Sequence, residues 1–252
     1  MTRVLFTGGG GAGMELLWRL LHEKYELYFL DINCENYAPI IPRERRNGTN
    51  SFDLLVPGID EELAEDAWRE HVLVPTPGYV CLMLDKSRAM SALREKGISV
   101  PRTWLTKPNV GRGSRGIDII QEHLEGPEYS VCCTADQQGK LHGVVPWRVD
   151  KRNSCTIRGE TEHQKDVSRT CEQIHKAFPT RGCYNVQGIL TRDGFTVFEI
   201  NPRFSGTTGL AIAAGVDPIA VWLGTQRSRR GLLPFTAGLC LQRTWHAELT
   251  TR

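Results

Sequence analysis

A glycine-rich turn between a strand and a helix is the feature that most limits the folds open to this chain. Residues 4–6 form a short apolar run typical of a buried strand, and residues 7–13 read Thr-Gly-Gly-Gly-Gly-Ala-Gly. A helical pattern follows over residues 14–24, and a second strand pattern covers residues 26–30. A strand, a helix and a second strand in this order predict a parallel sheet. We therefore expect the chain to begin with a Rossmann-like α/β unit.

The same turn carries the spacing Gly8-x-Gly10-x-x-Gly13, with Asp31 at the end of the second predicted strand. Taken literally, this pattern predicts a dinucleotide site and an NAD(P)-dependent oxidoreductase. The pattern is compatible with more ligands than a dinucleotide, because free N–H groups at a helix N-terminus bind any anion, a substrate carboxylate included. A tight turn without any ligand is the third interpretation, and the glycine pattern alone leaves all three open.

The rest of the chain divides into a continuation of the α/β half and an antiparallel half. A strand and two helices continue the first half, at residues 52–56, 59–70 and 85–96. Two hairpins with a glycine at each turn follow, at residues 129–145 and 183–200. Further helices are predicted at residues 166–178 and, with a break at Asp217-Pro218, at residues 209–224. This order predicts a fold that is α/β at its N-terminus and α+β after it.

Composition excludes several classes of protein. The chain has 252 residues and a formal net charge of +2, which is too small to argue for nucleic acid or an anionic membrane as partner. No apolar run reaches the length of a membrane-spanning helix, and the first residues lack the pattern of a signal peptide. The eight cysteines show no C-x-x-C pair and no metal-ligand spacing, which is typical of reduced thiols. A cytoplasmic protein acting on small molecules is the expectation.

Oxygen donors and a cation alternate along one short strand pattern late in the chain. Alternate side chains of a strand face the same side, so Glu199 and Asn201 are expected to project together, with Arg203 at the turn that follows. Phe198 and Ile200 are expected to face the core. Two hard oxygen donors beside a fixed positive charge suit Mg²⁺ and the phosphate oxygens that it bridges. An ordinary strand end with a solvated charge cluster explains this segment, taken alone, equally well.

A second glycine-rich loop and an acidic connector precede that strand. Residues 107–116 read Lys-Pro-Asn-Val-Gly-Arg-Gly-Ser-Arg-Gly, which lacks the Walker A order but offers glycines and a lysine to phosphates. Residues 121–129 read Gln-Glu-His-Leu-Glu-Gly-Pro-Glu-Tyr, a connector able to present backbone groups to a purine and a carboxylate to a ribose. Each piece alone is explained by a solvated loop, but together they favour a nucleotide site.

In this order the motifs resemble the ATP-grasp superfamily, and within it the carbamoyl-phosphate-synthetase-like carboxylate–amine ligases. The segments that carry the resemblance are residues 53–63, 85–86, 107–116, 121–129, 185–187 and 199–203, which together cover nearly the whole chain. The resemblance implies a Rossmann-like pre-ATP-grasp domain at residues 1–84 and an ATP-grasp domain at residues 85–252. Within the latter, it implies a lid at about residues 100–121 and a catalytic core at about residues 122–252.

The resemblance also implies roles for individual residues. The phosphates of ATP would be bound by Lys86, Lys107 and the lid-loop residues Gly111, Gly113, Ser114 and Gly116. The adenine hinge would be Glu122, His123 and Leu124, with Glu128 toward the ribose. Mg²⁺ or Mn²⁺ would be held by Gln187, Glu199 and Asn201. Arg203 and Lys107 would act on the transferred phosphoryl group.

The implied activity is that of an ATP-dependent, ADP-forming ligase that activates a small-molecule carboxylate as an acyl phosphate for attack by an amine or a similar nucleophile such as a thiol. Candidate residues for the acid substrate are Gly10, Gly11, Arg148, Arg158, Ser205 and Gly206. For the two arginines, a solvated basic surface explains the sequence at least as well. The alternatives to a ligase are the oxidoreductase described above and a non-catalytic ATP-binding protein. A homodimer is compatible with the resemblance, but the sequence identifies no surface for it.

Three connections are shorter than the resemblance implies. They lie at residues 43–50, 101–107 and 116–121, and two of them belong to the lid. The sequence therefore predicts an ATP-grasp domain with a shortened lid subdomain. Such a lid would give less of the cover that excludes water during phosphoryl transfer.

Overall fold

The N-terminal unit is a parallel sheet crossed by a helix, as predicted. The computed structural model describes residues 1–9, 11, 13–32, 37–66, 69–106, 118–152 and 155–244. The sheet has the order β2-β1-β3, with β1 at Arg3–Thr7, β2 at Glu26–Leu30 and β3 at Leu54–Val56. Helix α1, Met14–Leu21, buries Met14, Leu17 and Leu21, whose spacing of three and four residues forms one apolar stripe.

Three helices lead from this sheet to the second half of the chain: α2 at Asp60–Asp66, α3 at Pro77–Leu84 and α4 at Lys86–Glu95. Helix α2 is shorter than the predicted 59–70. Helix α3 was not predicted, because its residues are almost uniformly apolar and therefore lack the separate apolar and polar faces by which a helix is recognised. Helix α4 begins where predicted, since the Asp85 carboxylate accepts a hydrogen bond of 3.0 Å from the Arg88 amide.

The second half is built on an antiparallel sheet. A two-stranded ribbon comes first, with β4 at Thr103–Thr106 and β5 at Asp118–Gln121. The sheet itself has the order β10-β9-β6-β7-β8-β11. Its strands are β6 Glu128–Ala135, β7 Leu141–Arg152, β8 Cys155–Thr161, β9 Gly182–Thr191, β10 Gly194–Asn201 and β11 Cys240–Gln242. Both predicted hairpins are confirmed, whereas β8 and β11 lacked a clear alternating pattern and were not predicted.

The six-stranded sheet is covered on both faces. Helices α3, α4 and α5 (Lys165–Ala177) pack on one face, where Leu93, Ile174 and Val186 are fully buried. Helices α6 (Thr208–Ala213) and α7 (Pro218–Trp222) pack on the other face together with the N-terminal unit. No helix in the described ranges is both long and apolar enough to cross a bilayer.

The N-terminal unit and the sheet share one apolar core. Phe6 of β1 contacts Phe204 edge-on, with 5.9 Å between the ring centroids. The glycine-rich turn also contacts the second half, because a Cβ on Gly13 would lie 2.0 Å from the Gly206 carbonyl oxygen. Gly13 has φ of +108°, a conformation that glycine adopts without strain. The proposed boundary between residues 84 and 85 falls at the junction of α3 and α4. The two helices pack against each other across this boundary.

A β-bulge corrects one prediction made from the alternation of side chains. Val197 pairs with Gly188 and Glu199 pairs with Gln187, so Phe198 is an extra residue on β10. Phe198 is half-buried and lines a surface cleft instead of facing the core. Strict alternation would have placed it opposite Glu199, and the bulge is the reason that the prediction was wrong. Ile200 does face the core, as expected.

Six cysteines are free thiols: Cys81, Cys132, Cys133, Cys171, Cys183 and Cys240. The sulfur atoms of Cys132 and Cys183 are 3.6 Å apart, which is far longer than a disulfide bond. The prediction of reduced thiols is met at these six positions.

Candidate functional site

A cleft of about 650 Å³ opens where the C-terminal end of β10 meets helices α2 and α4. It is lined by seven of the residues singled out from the sequence: Lys86, Gln187, Glu199, Asn201, Arg203, Ser205 and Gly206. It is also lined by seven that were not assigned to the site: Asp60, Ser130, Lys151, Thr156, Phe198, Thr207 and Arg243. Residues distant in sequence are thus brought to one place.

Strand pairing explains why the polar residues share one face. Glu199 lies opposite Gln187, and Asn201 lies opposite Asn185. Gln187 is in turn opposite Ser130 on β6. Paired residues of antiparallel strands project to the same side, so the three strands present a continuous polar strip to the cleft. The predicted common face of Glu199 and Asn201 is confirmed.

Glu199 is the acidic centre of the strip. Its Oε1 lies 2.6 Å from the ammonium nitrogen of Lys86, and its Oε2 accepts a 3.2 Å hydrogen bond from the Asn201 amide. Burial alone would raise the pKa of Glu199, but the hydrogen bond and charge of Lys86, with Asn201 and Lys151, lower it below its ordinary value. The carboxylate is therefore ionised at neutral pH. The Lys86 side chain is 70% exposed and that of Glu199 23%, so the lysine is the partner free to move.

Arg203 pairs with a carboxylate from the N-terminal unit. Its Nε lies 2.6 Å from Asp60 Oδ1, its Nη2 lies 3.4 Å from Oδ2, and its Nη1 donates to the Phe204 carbonyl at 3.1 Å. Asp60 begins α2, where a carboxylate also suits the positive end of the helix dipole. This two-point contact fixes the guanidinium at the cleft wall. Asp60 lies within residues 53–63, but its pairing with a residue 143 positions away was not visible from sequence.

Lys151 supplies a third cation. Its ammonium forms an ion pair with Glu128, donates to Gln187 Oε1 at 2.9 Å, and lies 5.8 Å from the centroid of the Phe198 ring. In the sequence, Lys151 lies in a stretch with two arginines, residues 148–152. The Lys151 side chain is 25% exposed. Glu128, expected near a ribose, holds this lysine.

The donor set fits a Mg²⁺ ion that also binds substrate phosphates. No cluster of three or more His, Cys, Asp or Glu side chains occurs among the described residues, so a site made wholly of such groups is absent there. Mg²⁺ in proteins commonly takes one or two carboxylates and completes its shell with water and phosphate oxygens. The ionised Glu199 beside Asn201 meets that requirement. Gln187 offers a third oxygen, which in this structure accepts the hydrogen bond from Lys151.

The N-terminal glycine turn is engaged by the chain itself. The Gly9 amide donates to the Leu30 carbonyl at 2.9 Å, and the Gly11 amide donates to the Gly8 carbonyl at 2.8 Å. Gly13 abuts Gly206, whose carbonyl also accepts a 2.7 Å hydrogen bond from Arg243. The amides of Gly9 and Gly11 are thus occupied by backbone carbonyls and are not free to bind a pyrophosphate. Gly10 lies outside the described residues.

The hinge residues predicted for adenine follow β5. The Glu122 carboxylate is bound by the Arg102 guanidinium, with 2.9 Å between Oε1 and Nη2, and the Glu122 amide donates to the Arg102 carbonyl at 2.9 Å. His123 is exposed and Leu124 is half-buried. The lid-loop residues Lys107, Gly111, Gly113, Ser114 and Gly116 lie outside the described residues.

Arg148 and Arg158 are not brought into the cleft. They alternate with Trp147 and Gly159, which face the apolar core, and they flank Glu160 at 3.7 and 3.6 Å. Both arginines are about half exposed on the other face of the sheet. Their geometry is that of a surface ion-pair cluster.

The chain resembles known proteins in sequence over part of its length and in fold over most of it. Residues 118–234 match the family model "ATP-grasp in the biosynthetic pathway with Ter operon". None of the curated proteins matches the chain. A structure assigned to the ATP-grasp superfamily, from Archaeoglobus fulgidus, superposes with a TM-score of 0.65 at 14% identity, covering 95% of this chain and 91% of that one.

Two enzymes are also similar in structure. N5-carboxyaminoimidazole synthetase from Staphylococcus aureus, complexed with ADP, gives a TM-score of 0.67 at 12% identity, covering 93% of this chain and 80% of that one. Biotin carboxylase from Campylobacter jejuni gives 0.60 at 14% identity, covering 87% of this chain and 70% of that one. At these identities the structural likeness establishes the fold. Residues 118–234 are thus similar in sequence to an ATP-grasp family, and the chain has the fold of the ATP-grasp structures with which it superposes.

Proposed function

We propose that this chain is an ATP-dependent ligase that forms ADP while joining a carboxylate to an amine. One observation carries the proposal. The end of β10 brings Glu199, Asn201 and Arg203 together opposite Lys86, in a cleft of a chain with the ATP-grasp fold. Oxygen donors for a divalent cation and fixed cations for phosphates are thus combined within one site.

The reaction has two steps. A carboxylate oxygen of the acid attacks the γ-phosphorus of ATP, and the bond to the bridging oxygen breaks to release ADP. The amine nitrogen then attacks the acyl carbon, inorganic phosphate leaves with the bonding electrons, and the nitrogen loses a proton to solvent. A divalent cation at Glu199 and Asn201, when bound, supplies neutralisation of the phosphate charge. Lys86 and Arg203 bind and orient the phosphates, so the work is positioning and electrostatics.

The same proposal assigns roles to further residues. Lys107 and the glycines of residues 111–116 cover the phosphates, and the backbone of residues 122–124 binds adenine. The acid approaches between the glycine turn near Gly11 and the Ser205-Gly206 loop, which lie on either side of the contact between the two halves. We propose that the ligase acts on small molecules in the cytoplasm, alone or as a homodimer.

A phosphate-release screen tests the function. Acids are paired with amines in the presence of ATP and Mg²⁺, and the nucleotide product is identified by chromatography, with the Glu199→Gln protein as background. We expect ADP and phosphate to form only when an acid and an amine are both present. Formation of AMP would contradict the acyl-phosphate route. ATP binding without turnover for any pair would favour a non-catalytic nucleotide-binding protein, and NAD binding without ATP binding would favour the oxidoreductase.

A further inference from the structure

The Lys151 side chain has three neighbours that bind a cation, and it is less exposed than that of Lys86. Its ammonium is bound by the Glu128 carboxylate, by Gln187 Oε1 at 2.9 Å and by the face of Phe198 at 5.8 Å. The bulge at Phe198 is what turns this ring toward the cleft. A lysine with a carboxylate, an amide oxygen and an aromatic ring around it has little freedom to leave. The Lys151 ammonium is therefore anchored at the wall of the cleft.

This cation lies beside the proposed metal-binding strip. Gln187, which accepts its hydrogen bond, is the strand partner of Glu199. Lys151 and Lys86 thus approach the polar strip from two sides, Lys86 at Glu199 and Lys151 at Gln187.

The chemistry of Gln187 makes it a poor metal ligand in this setting. Its amide oxygen is neutral, and it already accepts a hydrogen bond from an ammonium group. A divalent cation on the same oxygen would lie next to a fixed positive charge. The nearest compensating carboxylate, Glu128, is already paired with Lys151. Glu199 and Asn201 carry no such conflict, because the exposed Lys86 can withdraw from Glu199.

We propose that Lys151 is a built-in cation of the phosphate site, that Gln187 positions Lys151 instead of binding metal, and that the cleft takes a single divalent cation, at Glu199 and Asn201. The ammonium of Lys151 contacts the anionic phosphates directly. This inference rests on the proposed function, since it concerns how that site neutralises ATP, and it reassigns Gln187 from metal ligand to positioning residue.

Counting metal ions in the complex with a non-hydrolysable ATP analogue tests the inference. Mn²⁺ is titrated into protein saturated with adenylyl imidodiphosphate, and free Mn²⁺ is measured by electron paramagnetic resonance. We expect one bound Mn²⁺ per nucleotide. In the double variant Lys151→Met with Gln187→Glu, which exchanges the fixed cation for a carboxylate, we expect two. Lys140→Met is the matched control, because Lys140 also donates a hydrogen bond, to the Ser228 carbonyl at 2.9 Å, but lies outside the cleft; it should bind one.

Single substitutions keep the inference testable if the double variant does not fold. Gln187→Ala should leave the affinity for Mn²⁺ unchanged within about twofold, whereas Asn201→Ala should weaken it by about tenfold or more. Two Mn²⁺ ions in the unmodified protein, or a tenfold loss in Gln187→Ala, would overturn the inference and leave the ligase function standing. A folded double variant that still binds one Mn²⁺ would show that Lys151 is not what limits the cleft to a single cation, which would also overturn it. Failure of the unmodified protein to bind the nucleotide would overturn both proposals.

Discussion

Glu199 is the residue at which the charges of the cleft meet. It faces Lys86 directly and shares its polar strip with Asn201 and Gln187. The sequence was sufficient to predict that Glu199 and Asn201 project together, because that follows from the two-residue period of a strand. It was not sufficient to predict the environment of Phe198 and Lys151. Both depend on a bulge and on pairings between strands that are far apart in the chain.

Glu199→Gln should reduce turnover by a factor on the order of 10²–10³, because it removes the charge that opposes Lys86 and binds the divalent cation. The amide has nearly the same shape, so the thermal unfolding midpoint should change by no more than a few degrees. The matched control is Glu15→Gln, which breaks a salt bridge to Arg19 on the exposed side of α1 and should keep full turnover. Initial rates of ADP formation and thermal denaturation measure the two effects. Substantial turnover in Glu199→Gln would show that the catalytic centre lies elsewhere.

At the scale of elements, the β6–β7 hairpin is closed by one buried aspartate. Asp136 accepts hydrogen bonds from the amides of Gln138 and Lys140 at 3.0 and 2.9 Å, and from His142 Nε2 at 2.9 Å. His142 Nδ1 accepts from the Ser228 amide at 3.0 Å, which assigns the ring proton to Nε2. Burial would raise the pKa of Asp136, but His142 and the two amides outweigh it and lower the pKa. The ionised carboxylate therefore stabilises this turn.

Asp136→Asn should lower the free energy of unfolding by about 1–3 kcal/mol at neutral pH, because an amide nitrogen would face the His142 donor. A lowered pKa means that the carboxylate stabilises the fold above its ordinary pKa of 3.8 and that this contribution is lost as the pH falls below that value. The difference between the two proteins should therefore shrink below about pH 4. Urea titrations at several pH values measure it, with the exposed Asp193→Asn of the second hairpin as control. A difference that persists in acid would assign the effect to something other than the carboxylate charge.

Elements with a strong local signal were predicted well. The two hairpins have glycines at their turns, and α4 and α5 have amphipathic faces. Helix α3 and strands β8 and β11 were missed for physical reasons. Helix α3 is apolar nearly all round, and β11 is three residues long and exists only through its pairing with β8. Such elements are stabilised by tertiary contacts, which no local pattern records.

At the scale of the whole molecule, the two halves meet through a contact between glycines. The φ angle of Gly13 is +108° and a Cβ there would lie 2.0 Å from the Gly206 carbonyl oxygen, next to the cleft. Gly209 makes a second close approach, since its Cβ would lie 2.7 Å from the Leu16 side chain of α1. Gly13, the last glycine of the turn that resembles a dinucleotide fingerprint, is therefore required by packing against the loop that carries Ser205.

Gly13→Ala should destabilise the protein far more than Gly215→Ala. The two glycines have nearly the same φ, +108° and +104°, but a Cβ on Gly215 meets nothing within 4 Å. Both variants incur the backbone strain of about 1–2 kcal/mol, and only Gly13→Ala adds the clash with Gly206. Urea denaturation of the two proteins measures the difference. Equal losses would show that the loop at Gly206 yields without cost and that the contact does not hold the halves together.

The three ion pairs of the cleft have a consequence for how a ligand enters. Lys86, Lys151 and Arg203 already face Glu199, Glu128 and Asp60, so this part of the cleft is electrically balanced before any phosphate arrives. A phosphate that enters must therefore replace a carboxylate as the partner of each cation. The attraction between the phosphate and a cation is offset by the carboxylate that the cation already binds. Lys86 can turn to a phosphate only when Glu199 has another positive partner. In the proposed ligase, binding of the nucleotide and of its divalent cation are thus thermodynamically linked, each favouring the other.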